Sequence, residues 1–568
     1  MIESIDRGCG NSWIGLSAVR LMDAAPRNWL DGELWIVELY RWQLDCLKAW
    51  ERNGFRGILH VITGAGKTVA ALEGAKKLEQ ALQQQNPPVP LRLRIVAPTI
   101  AIARQWVQAV RASFPEAVFP AERKIGLWCG EQKDSTDCFC LIYVVHSARH
   151  SLSAQMIREM EQGYAVLLIA DECHHYGSPE NRKIFDFRTS PRFREDRCFT
   201  LGLSATPQCD HFEEELVPAL GPVIYWYQLP QAIHEGTVSP FVIFQTQVSL
   251  TAKEAKKYNR LTIRIIRLYR ALVRAYPWIG AGVPFSRLRA LAEELDDPDS
   301  PVQQYLDLIL LRRELCLRAE NRLSCAVDLI RRQNPSDRIV LFCERIDQAE
   351  AVRALLRDAL PSQTGMYHSE MLQEKRREVL RDFRDGVIRV LIACKALDEG
   401  VDVPDASIGI VLSSTQTDRQ RIQRLGRILR RADGKRQAVL YYLHLGPAID
   451  DADYLPGFIE NLPVANLTYS AANHLFESPF YTAYARAALQ KATQKGMDPA
   501  ALAELRKRMD RGITQPEWLL PPEDIRIMLD ETEDRNERNR LIAQQMIAQA
   551  RLSIDSDGKG EHSASIRS

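Results

Sequence analysis

The feature that most constrains how this chain folds is a glycine-rich turn between an apolar run and a helix-like run. Ile58 and Leu59 precede it, Val69 to Leu82 follow it, and the turn itself reads Thr63-Gly64-Ala65-Gly66-Lys67-Thr68. Glycines let a backbone curl so that its N–H groups point at phosphate oxygens, and the following helix adds its positive N-terminus. In such a loop Lys67 reaches the β- and γ-phosphates of a nucleotide and Thr68 binds Mg²⁺. An ordinary glycine turn is the alternative, because Val61 stands where the general phosphate-loop pattern has its first glycine.

The composition is that of a multidomain globular protein without a strong overall charge. The chain has 568 residues, 46% of them hydrophobic and 26% charged, and a formal net charge of +1. A single hydrophobic core stops growing well below this length, so several domains are expected. Because no global field attracts a polyanion, any nucleic-acid surface must be a local patch. No apolar run is long enough to span a bilayer and Met1 to Ser12 are polar, so we expect a cytoplasmic protein without membrane contact.

Short apolar strands alternate with helical segments in two separate blocks of the chain. This alternation predicts an α/β fold with a parallel sheet wrapped by helices in each block. The segment between the blocks reads as almost entirely helical, and the segment after the second block as helical and irregular. The expected divisions are an N-terminal segment 1–34, a first α/β domain 35–245, a helical insertion 246–335, a second α/β domain 336–447, a helical accessory region 448–555 and a disordered tail 556–568.

A pair of carboxylates follows the most apolar strand of the first block. Val166 to Ala170 is a continuous apolar run, and Asp171 and Glu172 come directly after it. Ligands of open α/β sheets bind outside the carboxyl ends of the strands, so both side chains are expected at a ligand site. Asp171 would hold Mg²⁺, partly through water, and Glu172 would deprotonate an attacking water. Two charged residues that merely begin a surface loop are the alternative.

Four motifs in this order resemble those of superfamily 2 helicases. They are Gly64-Ala65-Gly66-Lys67-Thr68, Asp171-Glu172-Cys173-His174, Ser204-Ala205-Thr206-Pro207 and Gln423-Arg424-Leu425-Gly426-Arg427-Ile428-Leu429-Arg430. The resemblance is to DExH-type members, most of all to the branch with the XPB and UvsW helicases and the motor subunits of type I and type III restriction enzymes. It covers about residues 35 to 445. It implies two tandem RecA-like domains, with ATP and Mg²⁺ as cofactors.

The resemblance also implies roles for further residues of the first block. Gln43 matches the glutamine that reads adenine, although a polar residue on a helix face is its alternative. Pro98 and Thr99 match a motif that touches the nucleic-acid backbone. Ser204 and Thr206 match the motif that couples the state of ATP to strand binding, and His174 could relay between this motif and the carboxylates. Hydroxyl groups suit such coupling because each can donate and accept a hydrogen bond.

The second block would complete the catalytic site. By resemblance, Gly400 and Asp402 face the nucleotide, and Gln423 lies near the attacking water. Arg427 and Arg430 are the arginines expected at the γ-phosphate. They lie three positions apart and share a face if the segment is helical. A guanidinium group suits this work because it stays charged and presents several donors to a developing phosphoryl charge.

Basic residues recur at steps of three and four in the expected helical insertion. This spacing predicts a basic stripe along one side of a helix, with Ile263, Ile266, Tyr269 and Val273 on an opposing apolar side. The stripe could contact nucleic acid or be merely a solvated face, and the two interpretations are given equal weight. The leading candidates for such contact are Arg260, Arg264 and Arg267. The basic residues of the stripe are Lys253, Lys256, Lys257, Arg260, Arg264, Arg267, Arg270 and Arg274.

Three hypotheses for the function follow. The first, which the branch resemblance favours, is an ATP-dependent DNA helicase or translocase in repair, recombination or defence against foreign DNA. The second is an RNA helicase, because the core motifs barely distinguish RNA from DNA. The third is a nucleotide-switched scaffold that gates partner proteins without moving along a strand; the presence of Glu172 and Arg430 weighs against it. No nuclease motif was found in the chain, so a nuclease partner would be a separate polypeptide.

Overall fold

The computed structural model describes most of the chain between residues 39 and 557. The described residues are 39–114, 124–130, 132–209, 211–239, 241–281, 283–357, 360, 363–394, 406–413, 437–446 and 464–557. They form two eight-stranded sheets wrapped by helices, with a helical segment between them in the chain. The expected α/β architecture of two parallel-dominated sheets is therefore confirmed.

The first sheet has the strand order β4-β3-β5-β2-β6-β7-β1-β8 and is parallel except for the pair of β3 with β4. Its strands are β1 (Arg56–Val61), β2 (Leu91–Ala97), β3 (Ile125–Cys129), β4 (Gln132–Lys133), β5 (Cys140–Val144), β6 (Ala165–Asp171), β7 (Cys198–Ser204) and β8 (Val223–Tyr227). The accompanying helices are α1 (Arg41–Arg52), α2 (Lys67–Gln83), α3 (Ile100–Ser113), α4 (Val145–Glu161), α5 (Val217–Leu220) and α6 (Leu229–His234). The short apolar strands that the sequence predicted for this block are therefore present.

Burial on both faces explains why the central strands are almost wholly apolar. Strands β5 and β6 are buried along their lengths, except for Asp171 at the end of β6. Helix α3 presents Ile102, Ala103, Trp106 and Val110 to the core, a spacing that places them on one helical face. The polar groups therefore collect where the strands end, at the carboxyl edge of the sheet.

The segment after this sheet is helical, as expected, and its first helix carries the basic stripe. Its helices are α7 (Ala252–Ala275), α8 (Phe285–Leu295), α9 (Pro301–Leu317) and α10 (Glu320–Arg332). The predicted apolar side of α7 is wrong, because Ile263 and Ile266 are exposed and the buried residues include Leu261, Ile265 and Leu272. The face with these buried residues lies opposite the cations and packs against α9.

The second sheet has the order β11-β12-β10-β13-β14-β9-β15-β16 and is parallel except for the pair of β15 with β16. Its strands are β9 (Phe241–Val248), β10 (Ile339–Cys343), β11 (Thr364–Tyr367), β12 (Val390–Cys394), β13 (Ile408–Val411), β14 (Ala438–His444), β15 (Val464–Ser470) and β16 (Leu475–Glu477). Helices α11 (Ile346–Leu356) and α12 (Gln373–Arg384) lie between its strands in the chain.

Two of the expected domain limits conflict with the pairing of this sheet. The first domain was expected to extend to residue 245 and so to include most of strand β9. This strand instead lies between β14 and β15 in the second sheet. Strands β15 and β16 also belong to this sheet, although the region 448–555 was expected to be helical. The parallel neighbours of β9 come from distant parts of the chain, so no local turn signal marks its pairings with β14 and β15.

Four helices follow the second sheet; three of them share a buried cluster with it, and the third in chain order packs on the last one. They are α13 (Pro479–Gln494), α14 (Pro499–Gly512), α15 (Pro522–Asp530) and α16 (Arg535–Asp557). Tyr481 and Trp518 from this region share a buried cluster with Tyr441 of β14, and the Tyr441 hydroxyl donates a hydrogen bond to the carbonyl of Thr514. Within the described residues, no helix is both long and apolar enough to cross a membrane.

Candidate active site

The glycine-rich turn connects β1 to α2 in the way that phosphate binding requires. Gly64 and Gly66 have φ angles of 90° and 95°, a region that side chains with a Cβ rarely adopt. Gly66 forms the N-cap of α2, and Lys67 is the first residue of this helix. The loop thus places backbone N–H groups and the positive end of α2 around one point.

Gln43 braces this loop from helix α1. Its side-chain Nε2 donates to the carbonyl of Gly66 at 3.1 Å, and its Oε1 accepts from the backbone N–H of Tyr40 at 2.9 Å. A Cβ at Gly66 would lie only 3.0 Å from the Gln43 amide nitrogen, so a larger residue there would push this side chain from its place. The Gln43 side chain is therefore fixed beside the phosphate loop, and its contact with adenine stays a prediction.

Asp171 is oriented by hydrogen bonds at the end of β6. Its Oδ2 accepts from the indole Nε1 of Trp106 at 2.7 Å, and its Oδ1 accepts from the backbone N–H of Glu172 at 3.1 Å. The hydroxyl of Tyr176 lies 2.6 Å from the Asp171 carbonyl oxygen, which fixes the backbone as well. Burial, with the charge of Glu172 as a second cause, raises the pKa of Asp171 to about 6.

Glu172 turns from the strand towards the phosphate loop. Its backbone has a φ of 46° in the left-handed region, which is unusual for a residue other than glycine and is found preferentially at functional sites. The ammonium group of Lys67 lies 3.4 Å from Oε1 of Glu172, and both side chains are largely buried. The two motifs lie about a hundred residues apart in the chain, and the sheet brings them together.

His174 connects the carboxylates to the end of the neighbouring strand β7. Its Nδ1 lies 2.9 Å from Oγ of Ser204 and 3.6 Å from Oε2 of Glu172. The same Ser204 oxygen accepts from the backbone N–H of Thr206 at 3.0 Å. A chain of polar contacts therefore runs from Glu172 through His174 to the loop after β7.

Four adjacent strands, β2, β6, β7 and β1, deliver these groups to one edge of the sheet. Pro98 and Thr99 follow β2, and the Thr99 hydroxyl caps α3 by accepting from the backbone N–H of Ile102 at 3.4 Å. Because the carboxyl ends of parallel strands meet at one edge, the loops after all four strands are neighbours. The predicted site residues of the first block are thus assembled at one edge.

Two family models match the chain. The model for "Type III restriction enzyme, res subunit" matches residues 36–209, and that for "Helicase conserved C-terminal domain" matches residues 321–432. The chain belongs to superfamily 2 of the helicases, in the branch of XPB and the restriction-enzyme motors. As a helicase of this superfamily, the protein is an ATP-hydrolysing enzyme.

Two related helicases align with this chain over 400 residues or more. The "DNA 3'-5' translocase XPB2" of Sulfurisphaera tokodaii is 28% identical over 400 residues, which are 70% of this chain and 80% of that protein. The "DNA 3'-5' helicase XPB" of Mycobacterium tuberculosis is 24% identical over 436 residues, 75% of this chain and 65% of that protein. The solved Hef helicase domain of Pyrococcus furiosus is 16% identical, with a TM-score of 0.48 over 72% of this chain and 96% of that structure.

The first sheet with its helices, which we call the first lobe of this superfamily 2 helicase, has a site that fits ATP and Mg²⁺. Thr63 Oγ1 and Glu172 Oε2 are buried, and neither has a hydrogen-bond partner among the residues that the structure describes. Both lie in the two motifs that would surround a phosphate group. Mg²⁺ is usually held by one or two protein oxygens together with phosphate oxygens, and the hydroxyl of Thr68 and the carboxylate of Asp171 are ligands of this kind.

The predicted site residues of the second block fall on parts of the chain that the structure does not describe. Gly400, Asp402, Gln423, Arg427 and Arg430 all lie outside the described residues. The predictions for them therefore continue to rest on the family motifs that they match.

The basic stripe of α7 is fully turned to the surface. All eight of its lysines and arginines, including Arg260, Arg264 and Arg267, are exposed. The one acidic residue of α7, Glu254, is buried at the helix start, where its side chain accepts from the backbone N–H groups of Thr251 and Glu320 at 2.9 and 3.0 Å. The exposed face is therefore cationic along the whole helix.

Sequence reasoning missed Trp106, the residue that holds the Asp171 carboxylate. The available signal was its place on the apolar face of α3, seven positions after Thr99. That pattern predicts only a core residue, because it does not tell where the indole N–H points. A buried tryptophan usually finds a partner for this group, and here the partner is an expected metal ligand.

Proposed function

We propose that the protein is an ATP-driven motor that moves along DNA. The observation that carries the proposal is the unbroken set of contacts from the phosphate loop to two other loops of the same sheet edge. Lys67 contacts Glu172, and His174 contacts Ser204. By the family motifs, the loop after β2 contacts the nucleic-acid backbone, and the loop after β7 couples the state of ATP to strand binding. A change at the nucleotide can therefore alter the grip on a strand.

In this proposal the first lobe binds and hydrolyses ATP. The backbone of residues 63–66 surrounds the phosphates, Lys67 binds the β- and γ-phosphates, and Gln43 reads the adenine. Thr68 and Asp171 would hold Mg²⁺, which neutralises charge on the phosphates when it is bound. Glu172 takes a proton from the attacking water, and its position beside Lys67 supports this role.

The second lobe completes the reaction across the nucleotide. Gly400 and Asp402 line the other side of the nucleotide, Gln423 orients the water, and Arg427 and Arg430 stabilise the charge on the transferred phosphoryl group. These roles rest on the motifs that the residues match. A nucleotide that contacts both lobes favours their closed arrangement, and hydrolysis removes that preference.

The proposed strand contacts are made by loops and by a helix. Pro98 and Thr99 after β2, and Ser204 and Thr206 after β7, belong to the loops that would bind or report on the strand. The exposed cations of α7 offer a second surface for backbone phosphates, with Arg260, Arg264 and Arg267 near its middle.

DNA is proposed as the substrate because both of the XPB relatives described above are named as DNA motors. The first lobe also matches a model named for a restriction-enzyme subunit, which supports a role beside a nuclease. We propose that such a nuclease, where one takes part, is a separate polypeptide. A DNA-cleavage assay of the purified chain should therefore give no products.

ATP turnover with matched nucleic acids tests this proposal. We expect duplex or single-stranded DNA of one sequence to stimulate hydrolysis more than RNA of the same sequence and length. Lys67→Ala should abolish hydrolysis under every condition and serves as the control for contaminating enzymes. Greater stimulation by RNA would make the protein an RNA helicase. ATP hydrolysis that no nucleic acid stimulates, with no displacement of strands or of a bound oligonucleotide, would favour the nucleotide-switched scaffold instead.

A further inference from the structure

One buried hydrogen bond links a strand-binding loop to a phosphate-site carboxylate. Trp106 is 2% exposed and its indole N–H, which can only donate, contacts Oδ2 of Asp171 at 2.7 Å. With the backbone N–H of Glu172 on Oδ1, both oxygens of the Asp171 carboxylate are occupied by donors. The carboxylate therefore has its orientation fixed by a residue from a different element.

That element begins at the loop proposed to bind DNA. Helix α3 has Thr99 as its N-cap, and Trp106 lies on the same helix two turns further on. The buried face of α3, with Ile102, Ala103 and Val110, packs against the sheet, so the helix moves as one body with its first turn. A shift of the helix start is carried to the indole and from there to Asp171.

We propose that Trp106 is a positioning residue through which contact of DNA with Pro98 and Thr99 adjusts the carboxylate of Asp171. This inference rests on the proposed function, because it takes the loop after β2 as a DNA contact. The path is distinct from the one through His174 and Ser204, which reaches Glu172 from the loop after β7. DNA would thus act on the two carboxylates from two neighbouring loops.

A tryptophan elsewhere in the same lobe provides a matched control. Trp50 of α1 is also fully buried, and its indole N–H donates to the backbone carbonyl of Thr200 at 2.9 Å. Trp106→Phe and Trp50→Phe each remove one buried indole hydrogen bond and retain an aromatic ring. Only the first of them touches a carboxylate of the site.

The experiment measures ATP binding, DNA binding and turnover in the full chain. In Trp106→Phe we expect the gain in nucleotide affinity on adding Mg²⁺ to shrink, and DNA-stimulated kcat to fall about tenfold or more. This factor is the one expected when a hydrogen bond to a charged group is lost. The affinity for DNA and the affinity for nucleotide in the absence of Mg²⁺ should change little. Trp50→Phe should lower the melting temperature to a similar extent and keep both the Mg²⁺ effect and the stimulation.

Equal effects of the two substitutions, or normal stimulation in Trp106→Phe, would overturn the inference while leaving the proposed motor intact. A wild-type protein that DNA does not stimulate would overturn both. If Trp106→Phe melts far below Trp50→Phe, Trp106→His decides the matter, because imidazole keeps a ring N–H donor. A folded Trp106→His protein that recovers stimulation supports the inference, and one that responds to DNA no better than Trp106→Phe opposes it.

Discussion

Lys67 and Glu172 form an ion pair, 3.4 Å between Nζ and Oε1, in the place where a phosphate group is expected to bind. Both side chains are shielded from water, so the attraction between them is stronger than that of a surface pair. A nucleotide phosphate competes with Glu172 for the same ammonium group. Binding of ATP would therefore release the Glu172 carboxylate for its work on the attacking water.

Glu172→Gln should separate ATP binding from ATP hydrolysis. The amide has nearly the shape of the carboxyl group but cannot take a proton from water. It also no longer competes for Lys67 as an anion, so we expect ATP affinity to be retained or raised while turnover falls by at least about a hundredfold. Binding of a fluorescent ATP analogue and single-turnover hydrolysis measure the two quantities. A collapse of nucleotide affinity would instead assign Glu172 to metal binding or to the structure.

Lys67→Ala, unlike Glu172→Gln, should weaken the binding of ATP. It removes the cation that is expected to hold the β- and γ-phosphates, and it leaves Glu172 as an unpaired, largely buried anion. We therefore expect nucleotide affinity and hydrolysis to be lost together. Unchanged turnover in this variant would contradict the assignment of the phosphate loop.

The pKa of Asp171 predicts how activity depends on pH. Burial and the neighbouring Glu172 raise this pKa to about 6, and the ionised carboxylate is the form that can hold a cation. We expect kcat/KM for ATP to fall about tenfold per unit below about pH 6. An acid limb near the ordinary carboxyl value of about 4 would contradict the prediction.

The same shift has a consequence for folding. Because the folded protein favours protonated Asp171 more than the unfolded chain does, this residue contributes stability at low pH. That contribution is lost as the pH rises from about 4 through about 6. The activity lost below about pH 6 should therefore not be accompanied by unfolding due to Asp171. Circular dichroism above and below pH 6 can check that the protein stays folded.

A buried ion pair in the first lobe should matter more for stability than those on the surface. Arg94 of β2 is 0% exposed, and its Nε lies 3.1 and 3.0 Å from the two carboxylate oxygens of Glu159 on α4. Glu159→Ala leaves this guanidinium buried without its counter-ion, which typically costs about 3 to 5 kcal/mol. Glu51→Ala, which removes the partner of exposed Lys77, should cost at most about 1 kcal/mol.

Thermal and denaturant unfolding of the two variants measure this difference. The double variant Arg94→Met/Glu159→Met should be more stable than Glu159→Ala, because it leaves no buried charge unpaired. Equal stabilities of Glu159→Ala and Glu51→Ala would show that Arg94 is solvated or paired differently.

The site residues at the carboxyl edge of the first sheet could be predicted from the sequence because each motif is local. The phosphate loop and the Asp171-Glu172 pair each stand directly after an apolar strand, and parallel strands bring such positions together. The partners of these groups were harder to predict. The bond from Trp106 to Asp171 and that from Gln43 to Gly66 depend on how helices pack across the sheet, which no spacing in the chain encodes.

The limits of the second sheet were missed for a related reason. Strand β9 precedes the whole helical segment in sequence, yet it inserts between two strands from the other end of the domain. The buried face of α7 was also misassigned, because an arginine-rich helix with isoleucines on several sides has more than one plausible apolar face. Packing against α9 selects Leu261, Ile265 and Leu272. The basic side itself was predicted correctly.

That basic side gives the final prediction. If Arg260, Arg264 and Arg267 each contact a phosphate, every contact releases condensed counterion and makes binding weaker as salt increases. The slope of log affinity against log salt is about −0.9 per contact on duplex DNA and about −0.7 on single strands. Replacing all three by alanine should therefore flatten the slope by about two to three units and weaken binding to every sequence. ATP turnover without nucleic acid should be unchanged, because the change lies outside the phosphate site.

Helix α12 offers a control with the same geometry. Arg377, Arg381 and Arg384 are exposed and have the same spacing as the three arginines of α7. Acidic residues, including Glu374, Glu378 and Asp382, are interspersed with them, so the positive charge of this helix is partly neutralised, unlike that of α7. Replacing these three by alanine changes the net charge equally and should leave the salt slope almost unaltered. If both triple variants shift the slope alike, the α7 arginines act only through net charge, and if neither does, their face is merely solvated.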